Sequence, residues 1–161
     1  MTRPLVIVTE PIEPEASAWL GERCELAEHR PGTGAIPDDL AARARGLVVR
    51  TYTRVDAALL VRLPALRVVG RAGVGLDHID VGACRARGVA VVHTPEANSD
   101  AVAEFVFALL LRATRPLARV DSPLPAAGWE DLRRGLTAGR ELGEMTLGIL
   151  GAIAIRQYAA A

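Results

Sequence analysis

Gly70-Arg71-Ala72-Gly73-Val74-Gly75 follows directly on the apolar run Leu66-Arg67-Val68-Val69. The glycines on either side of Val74 give the backbone freedom to turn successive N–H groups into one concavity, and such nests hold carboxylates and phosphates. A tight turn that needs glycine for its own shape fits the same spacing. Without a Gly-Lys-Ser/Thr ending, the loop is not a Walker phosphate loop. A second candidate is Arg50, within Arg50-Thr51-Tyr52-Thr53-Arg54. Its guanidinium is always charged and presents a planar fork suited to a carboxylate or phosphate. A salt bridge at the rim of the fold is the plainer alternative. Asn98 stands where it can cap a helix, or its amide can donate to a carboxylate at the mouth of a site. Glu104 lies in an otherwise apolar stretch and, if buried, needs a partner such as an Arg.

Other reactive side chains read as structural. His29, His78 and His93 are not next to a Ser, Cys or carboxylate in a catalytic order. Asp77 and Asp80 flank His78-Ile79 as helix caps would. Cys24 and Cys84 are far apart and in no metal-ligand spacing, so they read as core thiols, and no metal site is expected.

These groups need elements to position them. Leu5-Val6-Ile7-Val8 is a short apolar run rich in β-branched residues, ended by Thr9-Glu10-Pro11. It predicts a buried strand. Further strands are expected over 24–27, 46–49, 66–69 and 89–92. Helices are expected over 14–20, from Pro37 onward, over 56–63 and over 80–87, with Gly88 as the last one's C-terminal cap. Acidic Asp38 and Asp39 suit a helix N-terminus. Strands and helices alternate, and the strands are continuously apolar, as in parallel sheets covered on both faces. Residues 1–95 are therefore read as an open, doubly wound α/β unit. Ligands of such units bind beyond the carboxyl ends of the strands. That rule singles out Thr9-Glu10, Arg50-Thr51, the loop 70–75 and His93-Thr94.

A long helix is expected from Asn98 or Ser99 to Arg115, before Pro116. Its segment Phe105-Val106-Phe107-Ala108-Leu109-Leu110-Leu111 is apolar on every side, which predicts burial in a core or a subunit interface. Residues 116–145 contain Pro and Gly and read as an extended connector or arm. Thr146-Leu147-Gly148-Ile149-Leu150-Gly151 reads as a fresh strand.

The 161-residue chain is long enough for one domain with a real core. Half of it is hydrophobic but only 4% is aromatic, so that core must be made of Ala, Val, Leu and Ile. There are 19 basic and 19 acidic residues, and every basic one is Arg. This balance argues against nucleic acid as a partner, since phosphate binding needs a basic surplus. Neither a signal-peptide pattern nor an apolar run near the ~18 residues of a membrane span is present, so a cytoplasmic, non-membrane protein is expected.

Taken in order, several segments resemble the D-2-hydroxyacid dehydrogenases, the family that includes phosphoglycerate dehydrogenase. They are Arg67-Val68-Val69-Gly70-Arg71-Ala72-Gly73-Val74-Gly75-Leu76-Asp77-His78-Ile79-Asp80, Gly88-Val89-Ala90-Val91-Val92-His93-Thr94-Pro95, and Asn98 through Ala103-Glu104. Gly139-Arg140-Glu141-Leu142 and the run 146–151 resemble that family's entry into its cofactor domain. The resemblance implies a flavodoxin-like substrate domain over 1–97. It further implies an interdomain helix and dimerisation arm over 98–145, and the first strand of an incomplete Rossmann domain over 146–161. It implies that Gly73, Val74 and Gly75 offer backbone groups to a substrate carboxylate, and that Arg50, with Thr51, holds substrate, especially a phosphorylated one. Asn98 would orient the substrate, while Val74 and Val102 would lie near the nicotinamide. The implied partners are a small 2-hydroxy or 2-oxo acid and a second copy of the chain.

Two departures stand out. His93 replaces the family's Asn before Thr-Pro. In the dinucleotide fingerprint, Gly151 is followed by Ala152-Ile153-Ala154, so a branched side chain stands where glycine lets the backbone approach pyrophosphate. The family's acid/base His, its carboxylate partner and its substrate-holding Arg all correspond to positions beyond Ala161. The family uses NAD or NADP; this chain is expected to bind neither and to be inactive by itself. The alternative is a stand-alone carboxylate- or phosphate-binding, or dimerisation, module without catalysis. A signalling receiver, which needs a phosphorylatable Asp cluster and a Lys, is disfavoured by Arg50 at the relevant strand end and by the lack of Lys.

Overall fold

A computed structural model describes residues 3–115, 117–137 and 139–149. The chain divides into two compact units, 1–97 and 98–161.

The first unit is a five-stranded, fully parallel sheet in the order β2-β1-β3-β4-β5. Its strands are β1 (Leu5–Val8), β2 (Glu25–Glu28), β3 (Ala44–Val49), β4 (Val68–Arg71) and β5 (Ala90–His93). Between them run α1 (Pro14–Arg23), α2 (Asp38–Arg43), α3 (Ala57–Arg62) and α4 (Val81–Ala86). The chain steps outward from β1 to β2, then returns across β1 to β3 and continues in the other direction. That order is flavodoxin-like, and its reversal lies between β1 and β3, where ligands of such sheets bind.

The strand residues explain this sheet. Ile7, Leu47 and Val69 on adjacent strands are fully buried and form one cluster with Leu60 of α3 and Cys84 of α4. β-branched and Leu side chains fit a sheet buried on both faces. Each later helix has a local start signal. The Asp56 carboxylate accepts the Leu59 N–H at 2.9 Å, and that of Asp80 accepts the Ala83 N–H at 2.8 Å. Past α4, Gly88 takes φ +67°, which glycine adopts without steric cost.

Element boundaries differ slightly from the sequence expectation. β3 begins at Ala44 rather than Gly46, and β4 runs from Val68 to Arg71 rather than over 66–69. Pairing decides this: Gly46 registers with Val68 and Val49 with Arg71, so the ladder extends past the apolar run.

In the second unit, α5 (Ser99–Thr114) is present with Asn98 at its N-cap position. Two expectations are corrected here. Residues 116–145 are not simply extended, since they contain the helix α6 (Ala126–Thr137) and a short 3-10 turn over Leu142–Glu144. Gly128 and Gly135 argue against a helix by propensity, but neither lacks room, and Trp129, Leu132 and Leu136 recur at helical spacing. Second, residues 146–149 lie in no regular secondary structure. An apolar run becomes a strand only with a neighbour to pair with, and the described residues provide none. Within this single chain α5 is not enclosed by a core. It buries Ser99 and Ala103, whereas Phe105, Phe107, Leu109 and Leu111 are exposed. The rest of the expected last strand and the fingerprint positions around Ile153 lie outside the described residues.

Candidate functional site

Parallel pairing brings the carboxyl ends of β1, β3 and β4 side by side. Beyond them lie Thr9-Glu10, Arg50–Thr53 and the loop 72–75. The Thr9 N–H donates to the Val48 carbonyl at 3.0 Å, and the Ala72 N–H to the Val49 carbonyl at 2.9 Å. Further out, Val55 and Ile79 form a parallel bridge: Val55 N–H to His78 O and Asp80 N–H to Val55 O, both 2.8 Å. This bridge ties the loop after β3 to the loop after β4 through two buried side chains.

Sequence reasoning placed an anion-holding nest at 73–75. The structure shows a second one at 50–53, already filled by the protein. The buried Glu10 carboxylate accepts backbone N–H groups from Arg50 (3.1 Å), Thr51 (2.6 Å), Tyr52 (3.1 Å to each oxygen) and Thr53 (3.1 Å). Burial by itself would raise its pKa; the four amides outweigh that and hold it lowered to about 2. Beside it, the Thr53 hydroxyl donates to Thr9 Oγ1 at 2.6 Å. Glu10 was legible only as a strand-end residue, since its amide partners are 40 or more positions away.

Arg50 is thereby aimed. Its backbone N–H is fixed on Glu10, and its guanidinium donates to the Pro11 carbonyl at 2.7 Å. No carboxylate pairs with that guanidinium among the described residues, so the rim salt bridge is not what occupies it. An open cleft of about 550 Å³ lies here, lined by Thr9, Glu10, Arg30, Arg50, Thr51 and Tyr52, among others. The Thr51 N–H is committed to Glu10, so this residue could offer a ligand only its side chain.

The loop 72–75 is held from two directions. The Arg71 guanidinium donates to the Ala72 carbonyl at 2.9 Å and to the Gly75 carbonyl at 3.0 Å. A Cβ on Gly73 would lie 2.4 Å from Arg71 Nη1, so a side chain there would push the guanidinium off these carbonyls. From β5, His93 Nδ1 lies 2.9 Å from the Val74 carbonyl, and the Thr94 N–H donates to the Gly73 carbonyl at 3.3 Å. A carbonyl only accepts, so Nδ1 carries the proton. With its carbonyls engaged, the loop leaves the Val74 and Gly75 N–H groups with no acceptor among the described residues. Arg50, Thr51, Gly73, Val74 and Gly75 thus share one end of one sheet. Asn98 and Val102 belong to the second unit; Asn98 makes no capping hydrogen bond through its side chain.

Residues 6–157 match the family described as D-isomer specific 2-hydroxyacid dehydrogenase, catalytic domain. The chain belongs to that family. D-3-phosphoglycerate dehydrogenase of Mycobacterium bovis is 39% identical over 163 residues, covering 99% of this chain and 30% of that protein. Hydroxypyruvate reductase of Thermotoga maritima is 34% identical over 154 residues, covering 94% of this chain and 49% of that protein. The chain therefore spans half or less of the length of those curated relatives. Among solved structures, D-lactate dehydrogenase from Aquifex aeolicus with NAD and lactic acid superposes with TM-score 0.70 at 26% identity. That match covers 97% of this chain and 46% of the other. The NADPH-dependent glyoxylate/hydroxypyruvate reductase of Sinorhizobium meliloti with NADP and malonate gives 0.72 at 27%, covering 99% and 51%.

Relatives in this family carry NAD or NADP. A pyrophosphate needs a glycine turn whose N–H groups face outward at the start of a helix. The described glycine turn of this chain, 70–75, opens no helix, since α4 begins only at Val81, and it does not fit that role.

Proposed function

We propose that this chain is the substrate-binding part of a D-2-hydroxyacid dehydrogenase and takes the carboxylate of a small 2-hydroxy or 2-oxo acid at the carboxyl ends of β3 and β4. The observation that carries this reading is the pair of unengaged N–H groups on Val74 and Gly75, in the loop after β4, beside the end of β3 that Arg50 follows. Two backbone donors can hold one carboxylate, and the Arg50 fork, free of any acidic partner, can take a phosphate or a second carboxylate. The family resemblance assigns Asn98 to orienting the bound acid, and Val74 and Val102 each to a position near a nicotinamide. Hydride transfer requires a held cofactor and an acid/base group within reach of the proton. The chain by itself is therefore expected to bind substrate without turning it over.

Backbone NMR of the chain during titration with glyoxylate or 3-phosphoglycerate tests this. The Val74 and Gly75 amide signals should shift with both ligands. Arg50→Gln should weaken 3-phosphoglycerate roughly tenfold and glyoxylate much less. A folded spectrum in which neither amide moves would sink the reading. Robust NADH oxidation by the pure chain with glyoxylate or hydroxypyruvate would instead refute the expected inactivity.

The exposed apolar residues of α5 favour a second reading, in which the chain acts as a dimerisation module without catalysis. A dimer that binds neither acid would support that reading over the first.

A further inference from the structure

The parallel sheet aligns the beginnings of its strands as well as their ends. Arg3 stands just before β1, Arg45 is the second residue of β3, and Arg67 immediately precedes β4. Gly46 registers with Val68, and the Arg67 N–H donates to the Arg45 carbonyl at 2.9 Å, so Arg45 and Arg67 are lateral neighbours. Arg43, the last residue of α2, joins them. Together with Pro4, Leu5 and Glu25 these four arginines line an open cleft of about 990 Å³.

Charge in this cleft is unbalanced. Glu25 is its one acidic residue, and it is paired with Arg43 at 3.3 Å. The Arg3 guanidinium donates to the Gly21 carbonyl. Neither Arg45 nor Arg67 has a side-chain partner among the described residues. A chain with no net charge thus gathers four guanidinium groups against one carboxylate at a single sheet edge. Forked, permanently charged donors converging on a cleft of this size match phosphate groups, and several arginines match several phosphates better than one.

We propose that this cleft is a second anion site, binding a small ligand that carries a chain of phosphates, at the amino ends of the strands. It is separate from the substrate site: Arg45 and Arg50 sit at opposite ends of β3, about 17 Å apart along an extended strand. The phosphates could be free or could be the tail of a nucleotide, and the recognition chemistry is the same.

Calorimetry with the whole chain, using inorganic tripolyphosphate, ADP and adenosine as probes, tests this. Saturable binding of tripolyphosphate is expected, with adenosine silent. ADP binding comparably would identify a nucleotide tail as sufficient, and tripolyphosphate alone would identify free polyphosphate. Arg45→Gln combined with Arg67→Gln should weaken binding roughly tenfold or more, whereas Arg85→Gln, one charge fewer on the exposed face of α4, should not. Amide shifts in the unaltered protein locate the site even if the double variant fails to fold. They should fall at 5, 25, 44–46 and 67–68. Shifts confined to 50–53 and 73–75, or loss of binding only with Arg50→Gln, would assign the anion to the substrate end and overturn the proposal. An absence of saturable binding would overturn it equally, without touching the reading of the substrate site.

Discussion

Glu10 shows how one side chain can organise a site without contacting a ligand. Its carboxylate gathers the Arg50–Thr53 amides, and that sets where Arg50 points. Because its folded pKa is lowered to about 2, the charged form stabilises the fold. That contribution is fully present above the ordinary carboxylate range and is lost as pH falls through about 2; it amounts to roughly 3 kcal/mol. Acid unfolding followed by circular dichroism should therefore show a loss of stability below about pH 4.5 that Glu10→Gln lacks. At neutral pH the same substitution places an NH₂ donor against N–H donors and should cost about 2–3 kcal/mol in urea unfolding. At His93, an imidazole donates to the Val74 carbonyl. His93→Asn should leave carboxylate binding within a few-fold, while His93→Ala should weaken it more, because only Asn can restore a donor.

At the scale of elements, short helices hold because caps and core contacts act together. α3 is only six residues long, with Asp56 capping Leu59 N–H and Leu60 fully buried. Asp56→Ala should cost about 1 kcal/mol and Leu60→Ala about 2–4 kcal/mol, measured by chemical denaturation. The larger loss should also loosen the Val55–Ile79 bridge next to α3, read as faster amide exchange at Val55 and Asp80. α6 carries the opposite lesson. Its glycines and surrounding prolines read as a connector, yet the segment is helical, with Trp129, Leu132 and Leu136 at helical spacing and no residue of it buried.

For the molecule as a whole, the exposed face of α5 is the main liability. Phe105 is 64% exposed, and Leu109 and Leu111 are each about half exposed. An apolar surface of that kind drives association. Light scattering should show self-association at micromolar concentration, reduced by Phe105→Asp together with Leu109→Glu. A monomer in both forms would count against a dimer built on this helix. No helix among the described residues is long and apolar enough to cross a membrane.

Much of this protein was decided locally, and so could be read from the chain alone. Alternating apolar runs and capped helices determined a parallel α/β unit, because burial on both faces leaves a continuous apolar signature. The ordered motifs around Arg67–Asp80 and Gly88–Pro95 determined the family, and Arg50 and the 73–75 loop were marked by their place after strands. Tertiary structure decided what pairing and long-range contacts control. Strand register set the ends of β3 and β4, and it aligned Arg45 with Arg67. Glu10 found amide donors about forty residues away. The apolar run at 146–149 did not become a strand, because a strand needs a neighbour to satisfy its backbone and periodicity carries no information about whether one is there.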